Sequence, residues 1–382
     1  MWKSLPALAT AVLCGVAPVH AQLPEAQVTT IEQAITSAMS RLRIPGLSIA
    51  ISRDGDIVYE RAFGMTDLEN SVPARTTTVY RIASNVKPIT AAAVMQLVER
   101  GRIDLDAPIQ MYVPDYPRKR RPITVRQLLT HTSGVRHHKD DAEYHTTRHC
   151  DQLKQALEMF GRDSLLHAPG EKVTYSTYGY VLLGLAVEGA SGMRYIDYLR
   201  EHIFRPAGMS RTRADEVTDI IPNRASGYGV TSAGALRNAK LVDTSCRMPG
   251  GGIVSSAGDM ARFLAALSTG ALLSRESVAR MQTNQLSAGV MERTLAGVAL
   301  PPGYRPPGFG FGWAIGTDAR PDAVWHGGNQ QGATSIIYWV PDARVGVAVL
   351  TNLENQGTEL ENLVESIAEI VAPNRQGAPP GR

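Results

Sequence analysis

Apolar, β-branched runs stand near both ends of the chain, and their placement limits the fold more than any other feature. Residues 47–52 and 57–62 flank Asp54-Gly55, a dipeptide typical of a tight β-hairpin. The same strand pattern returns late in the chain, over residues 309–315, 334–340 and 345–351. Because strands that are far apart in sequence can pair in one sheet, we predict an antiparallel sheet built from both chain ends.

The region between these runs has a helical pattern. Residues 88–100 have the spacing of a helix that ends at Gly101. Further helical stretches cover residues 124–130, 151–160, 178–189, 195–204 and 256–268. Amphipathic helices are predicted over residues 30–42 and near the C-terminus, where Thr358 and Glu361 fit a capping box. These patterns predict an α/β (α+β) fold in which terminal helices flank the sheet and a mostly helical lobe is inserted.

The two ends of the chain are predicted to lie outside the folded domain. Residues 1–21 have a basic start and an apolar run too short to span a bilayer, as in a secretory signal peptide cleaved after Ala21. We therefore expect a periplasmic or secreted protein without a membrane anchor. Residues 373–382 are rich in Pro and Gly and are expected to form a disordered tail.

The folded domain is predicted to span residues 22–372. An α/β lobe would comprise about 22–83 and 300–372, and a helical lobe about 84–299. A chain of this length can bury a core without help from disulfides or metals.

Composition narrows the range of partners. The 382 residues include 39 Lys and Arg against 36 Asp and Glu, and a net charge of +3 gives no reason to expect nucleic acid as a partner. The basic run at residues 118–121 lies between two prolines and is expected to be a solvated loop.

Two cysteines, Cys150 and Cys246, remain after removal of the leader. In an exported protein they could pair, and two separate buried thiols are the alternative.

The first motif with chemical meaning is Ser84-Asn85-Val86-Lys87, placed where strand character gives way to helix. Its spacing puts the hydroxyl and the amine on one helix face. The positive end of the helix and burial both disfavour the ammonium form, so a neutral Lys87 could take the proton of Ser84. A Ser cap followed by a solvated Lys is the alternative interpretation of so short a pattern.

The second motif is Tyr175-Ser176-Thr177, ahead of an apolar stretch. A phenol beside Lys87 can shuttle protons to a leaving group. Tyr178 and Tyr180 are close competitors for this role. The alternative is an aromatic helix start that packs into the core.

The third motif, His326-Gly327-Gly328-Asn329, is predicted to lie between two of the late strands. Its glycines would let the backbone approach a ligand closely, and the backbone amide of Asn329 could pair with that of Ser84 as oxyanion donors. His326 would line the site as a neutral or weakly cationic group. A β-turn that contains a surface histidine is the alternative.

The order of the three motifs resembles that of the serine β-lactamase-like family, which carries S-x-x-K, Y-x-N and K/H/W-x-G at similar separations. This family includes class C β-lactamases, D-Ala-D-Ala carboxypeptidases, D-aminopeptidases of the peptidase S12 type and family VIII esterases. The similarity covers about residues 30–372 and is greatest to the mitochondrial serine β-lactamase-like subgroup. Further family-like stretches are residues 97–106, 128–134 and 250–256.

The resemblance implies a β-lactamase/transpeptidase-like fold and a role for each motif. Ser84 would be the acylated nucleophile, Lys87 its base, and Tyr175 the second acid/base. Thr177 and residues 326–329 would contact the substrate and stabilise the oxyanion.

Two departures from the family pattern bear on the substrate. Thr177 stands where the family has an Asn that bonds an acylamide, and His326 stands where lactamases have a Lys that holds a carboxylate. We therefore expect an exported serine hydrolase of the peptidase or esterase type. Its substrate would be a small molecule or a peptide, and it would need no metal or cofactor.

Two alternatives stay open. One is a β-lactamase or D,D-carboxypeptidase, and the other is a self-assembling or ligand-binding protein with little turnover. The resemblance also leaves a homo-oligomer open.

Residues 137–149 are rich in histidine and acidic residues, but their spacing matches no standard metal motif. We expect a polar loop at the rim of the active site, although a metal site is the alternative. The histidines are His137, His138, His145 and His149. His131 is expected to be a structural hydrogen-bonding residue.

Overall fold

The computed structural model describes residues 22–296, 308–316 and 320–374. The predicted leader, residues 1–21, and residues 375–382 of the predicted tail lie outside the described residues. Within the described ranges, no helix combines the length and the apolar character needed to cross a membrane.

The strands of the described chain follow one another as β1 Gly46–Arg53, β2 Asp56–Asp67, β3 Val72–Pro73, β4 Tyr80–Arg81, β5 Arg213–Ala214, β6 Tyr228–Val230, β7 Leu236–Asn238, β8 Ile253–Ser255, β9 Gly308–Phe309, β10 Ala314–Ile315, β11 Val324–Gln330, β12 Ala333–Val340 and β13 Val345–Thr351. The helices are α1 Glu25–Leu42, α2 Val86–Glu99, α3 Val125–Leu129, α4 Asp141–Tyr144, α5 Leu157–Phe160, α6 Thr177–Ser191, α7 Tyr195–Leu199, α8 Met248–Gly251, α9 Ala257–Thr269, α10 Arg275–Gln282, α11 Ala288–Leu295 and α12 Gly357–Val371.

The main sheet is antiparallel and combines both ends of the chain, as predicted. Its strand order is β3-β2-β1-β13-β12-β11-β10-β9. The first long strand pairs directly with the last one, and Leu47 lies opposite Thr351. The hairpin between β1 and β2 turns at Asp54 and Gly55, which have φ values of 54° and 100°. Both residues therefore adopt the positive φ that a two-residue hairpin turn requires.

The sheet separates two hydrophobic cores because successive residues of a strand point to opposite faces. Ile49 and Ile51 of β1 join the core formed with α1 and α12. Ala50, between them, joins the larger core formed with the inserted helices. The central strands are thus buried on both faces, and the predicted α/β fold is confirmed.

Helix α2 runs through the larger core. Its residues from Val86 to Leu97 are all buried, and it packs against α6 and α8. A helix surrounded on all sides is apolar all round rather than amphipathic. The short 3-10 turn Ala83–Asn85 before α2 contacts β11, and the first turn of α2, which follows it directly, carries Lys87.

Two local predictions are wrong. Residues 309–315 are not one strand, because β9 and β10 are separated by a turn in which Gly312 has a φ of 80°. The capping box of Thr358 and Glu361 does not form either. Helix α12 begins one residue before Thr358, with Gln356 at the N-cap position and no side-chain cap.

Candidate active site

Ser84 lies in a short 3-10 turn, Ala83–Asn85, that leads directly into α2. Lys87 is the second residue of α2, and its Nζ lies 2.9 Å from Ser84 Oγ. The turn contains an unusual backbone angle, because Ala83 has a φ of 47°. This left-handed conformation costs a residue other than glycine about 1–3 kcal/mol. The contacts around the turn must therefore hold Ser84 in place.

The Lys87 amine is fully buried, so the alternative of a solvated lysine is wrong. Besides Ser84 Oγ, its Nζ lies 2.7 Å from Gly250 O and 3.4 Å from Thr177 Oγ1. Burial holds the pKa of Lys87 well below its usual range, and the positive charge of Arg247 lowers it further. Both effects favour the neutral amine.

Arg247 itself is an unusual neighbour, because it is buried and its hydrogen bonds within the described residues go to neutral groups. It donates to Tyr144 O at 2.9 Å and to Gln331 Oε1 at 3.4 Å. Its Nε has no hydrogen-bond partner among the described residues. A positive charge in this position acts on Lys87 without being neutralised by a directly bound carboxylate.

Tyr175 lies two residues before α6 and contacts both members of the Ser-Lys pair. Lys87 Nζ is 4.8 Å from the centroid of the Tyr175 ring. Burial raises the pKa of Tyr175, and a hydrogen bond with the Ser84 side chain opposes that rise. The phenol therefore stays protonated at neutral pH.

The two competing tyrosines have other roles, although the Tyr180 ring centroid is 5.7 Å from Lys87 Nζ. Tyr180 donates a 2.9 Å hydrogen bond to Leu129 O, and Tyr178 stacks on Phe160 with ring centroids 4.4 Å apart. Neither lines the cavity that contains Ser84. Both pack into the core as an aromatic helix start would, whereas Tyr175 shares the cavity with Ser84.

Two histidines hold the segment that carries Tyr175. His131 Nδ1 accepts a hydrogen bond from the Ser176 N–H at 3.1 Å, and His137 Nδ1 accepts one from the Thr177 N–H at 3.2 Å. Burial lowers the pKa of His137 to about 4 and holds that of His131 well below its usual range. An unprotonated Nδ1 is needed to accept these bonds, and the lowered pKa values maintain it.

His131 is thus a structural hydrogen-bonding residue, as expected from the sequence. His137 lies at the cavity, where the sequence places the histidine-rich loop, but its hydrogen bond with Thr177 could not be inferred, because 40 residues separate the two.

The third motif lies inside β11, so the prediction that it falls between two strands is wrong. The hairpin turn comes after it, at Gln331 and Gly332, where Gly332 has a φ of 72°. Glycines lack the β-branched side chains that reveal a strand in a sequence. Gly328 faces the turn that carries Ser84, and a Cβ atom there would lie only 2.5 Å from Ile82 O. Glycine therefore permits the close approach between β11 and that turn.

His326 is buried and is not a surface residue of a β-turn. Its Nδ1 lies 2.7 Å from Gly327 O, and because a carbonyl can only accept, the ring proton is assigned to Nδ1. Burial lowers the pKa of His326 to about 3, with a further contribution from Lys87. The imidazole is therefore neutral at physiological pH, and its Nε2 can act as a hydrogen-bond acceptor.

Asn329 can offer the cavity its backbone, because its side chain is engaged with Asn355. Nδ2 donates to Asn355 Oδ1 at 2.8 Å, and Oδ1 accepts from the Asn355 N–H at 2.6 Å. Along an antiparallel strand, the backbone groups of every second residue point to the same edge. Just before β11, Ala323 O points to the edge on the β10 side, where it accepts a hydrogen bond from the Gly316 N–H. The backbone groups of Gly327 and Asn329 therefore point to this edge as well, away from β12.

These groups surround a cavity of about 500 Å³. Aromatic side chains form much of its wall, and Glu361 of α12 adds a carboxylate. The residues that line the cavity include Ser84, His137, Tyr144, Tyr175, Trp313, Trp325, His326, Gly327, Gly328, Asn329, Gly357 and Glu361. Thr177 and Lys87 are not among the residues that line this cavity. A cavity of about 670 Å³ near Cys150 contains none of the predicted site residues.

Cys150 and Cys246 form a disulfide, which decides between the two alternatives left open by the sequence. In the histidine-rich loop, His149 Nδ1 pairs with Asp243 Oδ2 at 2.8 Å, and His137 lines the cavity. Over residues 22–296, 308–316 and 320–374, no cluster of three or more His, Cys, Asp or Glu side chains is arranged to hold a metal ion.

Comparison with known proteins agrees with the resemblance predicted from the motifs. The family model described as Beta-lactamase matches residues 31–372. The Homo sapiens serine beta-lactamase-like protein LACTB, mitochondrial, is 31% identical over 287 residues, which cover 57% of this chain and 52% of that protein. The chain thus spans about half the length of this relative.

Solved structures share the fold over nearly the whole chain. The octameric penicillin-binding protein homologue from Pyrococcus abyssi matches with a TM-score of 0.76 and 28% identity, covering 92% of this chain and 78% of that one. The D-amino acid amidase from Ochrobactrum anthropi SV3 matches with a TM-score of 0.76 and 24% identity, covering 91% and 99%. The chain belongs to the β-lactamase family of serine hydrolases.

Proposed function

We propose that the protein is an exported serine hydrolase that forms an acyl-enzyme on Ser84 and cleaves esters or peptide-type amides. The observation that carries the proposal is the 2.9 Å contact between Ser84 Oγ and a buried Lys87 amine whose pKa is lowered. A serine hydroxyl is a weak nucleophile until an adjacent base accepts its proton. Lys87 is that base.

The surroundings of Lys87 match the hydrogen-bonding groups of a neutral amine, which has two N–H donors and one lone pair. Gly250 O can only accept, so it takes one N–H, and Thr177 Oγ1 takes the second. The lone pair is then left for the Ser84 hydroxyl. As the Ser84 oxygen attacks a carbonyl carbon, its proton passes to Lys87.

Tyr175 is proposed to protonate the leaving group. Its phenol is hydrogen-bonded to Ser84 and keeps its proton at neutral pH, so it is available as a general acid. The leaving alcohol or amine departs with this proton, and the acyl group stays on Ser84. A water molecule then attacks the ester and gives a proton to the Tyr175 phenolate. Lys87 returns the proton that it holds to Ser84 Oγ as the acyl group leaves, and the carboxylic acid is released.

The negative charge that develops on the carbonyl oxygen needs donors that are already in place. We propose the backbone N–H groups of Ser84 and Asn329 for this task. The edge position of the Asn329 backbone supports the assignment, because its N–H is directed away from β12.

The neutral groups of the site favour esters and peptides over β-lactams. His326 carries no positive charge to attract the carboxylate of a lactam, and Thr177 is turned toward Lys87. An amide substrate is also consistent with the D-amino acid amidase, which was solved with L-phenylalanine amide and shares the fold.

Export remains part of the proposal and is supported by the disulfide between Cys150 and Cys246. Disulfides persist in oxidising compartments and are rare in the cytosol of mesophiles. A homo-oligomer is also proposed, because the Pyrococcus abyssi homologue is described as octameric. Size-exclusion chromatography with light scattering measures the oligomeric state, and a monomer at all concentrations would contradict this part.

The functional test compares the wild type with Ser84→Ala on three substrate classes. These are p-nitrophenyl esters, peptide p-nitroanilides of both hands, and a chromogenic cephalosporin. We expect ester or anilide turnover that Ser84→Ala abolishes, and slow or no cephalosporin turnover. Fast cephalosporin turnover that depends on Ser84 would favour the β-lactamase alternative. Turnover that Ser84→Ala leaves undiminished would contradict the proposal.

A further inference from the structure

Glu361 stands out among the residues of the cavity because its carboxylate has no counter-ion. In the described part of the chain it forms no ion pair and no hydrogen bond, although neighbouring acids on α12 have partners. Burial and the negative charge of Glu365 raise the pKa of Glu361, as expected for a carboxyl group without a cation beside it. A carboxylate that is partly withdrawn from water and unpaired is costly to the free protein.

The Glu361 carboxylate lies close to β11, at the wall of the cavity that contains Ser84. A Cβ atom built on Gly327 would lie 3.1 Å from Glu361 Oε1 and 3.8 Å from Cζ3 of the Trp325 ring. Glycine at residue 327 thus lets the carboxylate approach the strand closely. Glu361 and Trp325 both line the cavity, so a substrate group in this part of the cavity would meet a carboxylate and an indole.

A carboxylate beside an indole can bind an ammonium group, chiefly through charge attraction to the carboxylate and also through contact with the aromatic ring. Other charges near the cavity do not compete at this point. Lys87 and His326 favour their neutral forms, and Arg247 is buried behind Tyr144. The first residue of α12, Gly357, brings the positive end of a helix to the cavity, which would favour an anion instead.

Glu361 and the Ser84 hydroxyl belong to the same cavity but to opposite faces of β11. Gly328 faces the Ser84 turn, whereas Gly327 faces α12. A substrate whose carbonyl group meets Ser84 would therefore reach Glu361 by passing around the free edge of β11. A flexible acyl chain of several atoms fits this path.

We infer that the enzyme selects ester or amide substrates that carry a positively charged amine on the acyl side, held beside Glu361 and Trp325 in the wall of the cavity. This inference rests on the proposed hydrolase function for the identity of the bond that is cleaved. The recognition of the amine, however, is a binding event that can be measured without turnover.

The test uses Ser84→Ala protein and isothermal titration calorimetry with three N-benzylamides. Their acyl chains have similar lengths and end in an ammonium group (6-aminohexanoyl), a methyl group (heptanoyl) or a carboxylate (adipoyl). We expect the ammonium compound to bind about tenfold more tightly than the methyl compound, the effect of one partly desolvated charge contact plus one cation–π contact.

Three second-site variants sharpen the test. Glu361→Gln should remove the preference while leaving the affinity for the methyl compound unchanged. Gly327→Ala should weaken binding of the ammonium and methyl compounds alike, because the added Cβ would crowd Glu361 and narrow the cavity for either chain end. Glu365→Gln, which makes the same change of charge one turn along α12 and outside the cavity wall, should keep the preference.

Equal binding of the ammonium and methyl compounds to Ser84→Ala would overturn the inference, and so would a preference that survives Glu361→Gln. Tighter binding of the carboxylate compound would assign the site to anions at the α12 end and would also overturn it. None of these outcomes depends on catalysis. Failure of the hydrolase proposal shows instead as absent turnover or labelling at Ser84.

Discussion

Replacement of Gly328 by alanine is expected to disable the nucleophile while leaving the rest of the fold in place. A Cβ atom on residue 328 would lie 2.5 Å from both Ile82 O and Ser335 Oγ, and 3.2 Å from the Ala83 Cβ. These atoms cannot move apart independently. Ser335 Oγ donates to Ile82 O at 2.8 Å and accepts from Asn85 Nδ2 at 2.8 Å.

The size of the effect follows from these distances. An ordinary contact begins near 3.4 Å, so the Ser84 turn and β11 must separate by about 0.9 Å. Overpacking of this kind costs about 1–3 kcal/mol of stability. Because the turn moves as a unit, Ser84 moves relative to the oxyanion donors of β11. A misplacement of about 1 Å lowers a reaction rate by roughly 10²-fold.

The assay is the rate of Ser84 acylation, followed by intact mass spectrometry, together with the free energy of unfolding in urea. Gly357→Ala is the matched control, because Gly357 lines the same cavity and a Cβ there meets nothing within 4 Å. Gly328→Ala should acylate roughly 10²-fold more slowly, and Gly357→Ala should match the wild type. A Gly328→Ala variant with unchanged acylation and stability would refute the packing argument, as would an equal loss in the control.

Three further predictions concern the base and the disulfide. Lys87→Met should lower kcat/KM by about 10²–10⁴-fold, because the buried thioether cannot accept the Ser84 proton; a loss below tenfold would contradict its role as base. Arg247→Gln should raise the pKa of Lys87, so the acid limb of the pH profile of kcat/KM should move to higher pH, and an unmoved limb would contradict the charge effect. The double variant Cys150→Ala/Cys246→Ala should lose about 2–5 kcal/mol of unfolding free energy in urea, because the disulfide closes a loop with a sequence separation of 96; unchanged stability would contradict this.

The sheet could be predicted from the sequence because the residues that indicate each strand are consecutive in the chain. The apolar runs of β1, β2, β12 and β13 are β-branched and are bounded by turn residues. Their pairing across the whole chain then follows from the need to bury two faces. By contrast, β11 has two consecutive glycines and no such signal, so the sequence predicts that the motif falls between strands.

The nucleophile and its base could also be predicted, because i, i+3 spacing on a helix brings Ser84 and Lys87 together. The groups that tune them could not. Gly250 O, Arg247 and His137 approach the site from distant parts of the chain, and no local pattern predicts their contacts with Lys87 or Thr177. Their roles depend on burial and on distances that exist only after folding.

Glu361 shows most clearly that a residue can have one role predicted from the sequence and a different position in the structure. In the sequence it fits a capping box with Thr358, a purely local role. In the structure α12 begins too early for that box, and the carboxylate borders the cavity beside Gly327 instead. A shift of the helix start by a residue or two therefore turns a predicted cap into a candidate specificity residue.

The central claim is that Ser84, activated by Lys87, forms a covalent acyl-type intermediate, and labelling with a fluorophosphonate tests it most directly. Intact mass spectrometry of the wild type should show one adduct, and peptide mapping should locate it on Ser84. The adduct should be absent from Ser84→Ala and should form far more slowly in Lys87→Met. No adduct on the wild type, or an undiminished adduct on Ser84→Ala, would contradict the account.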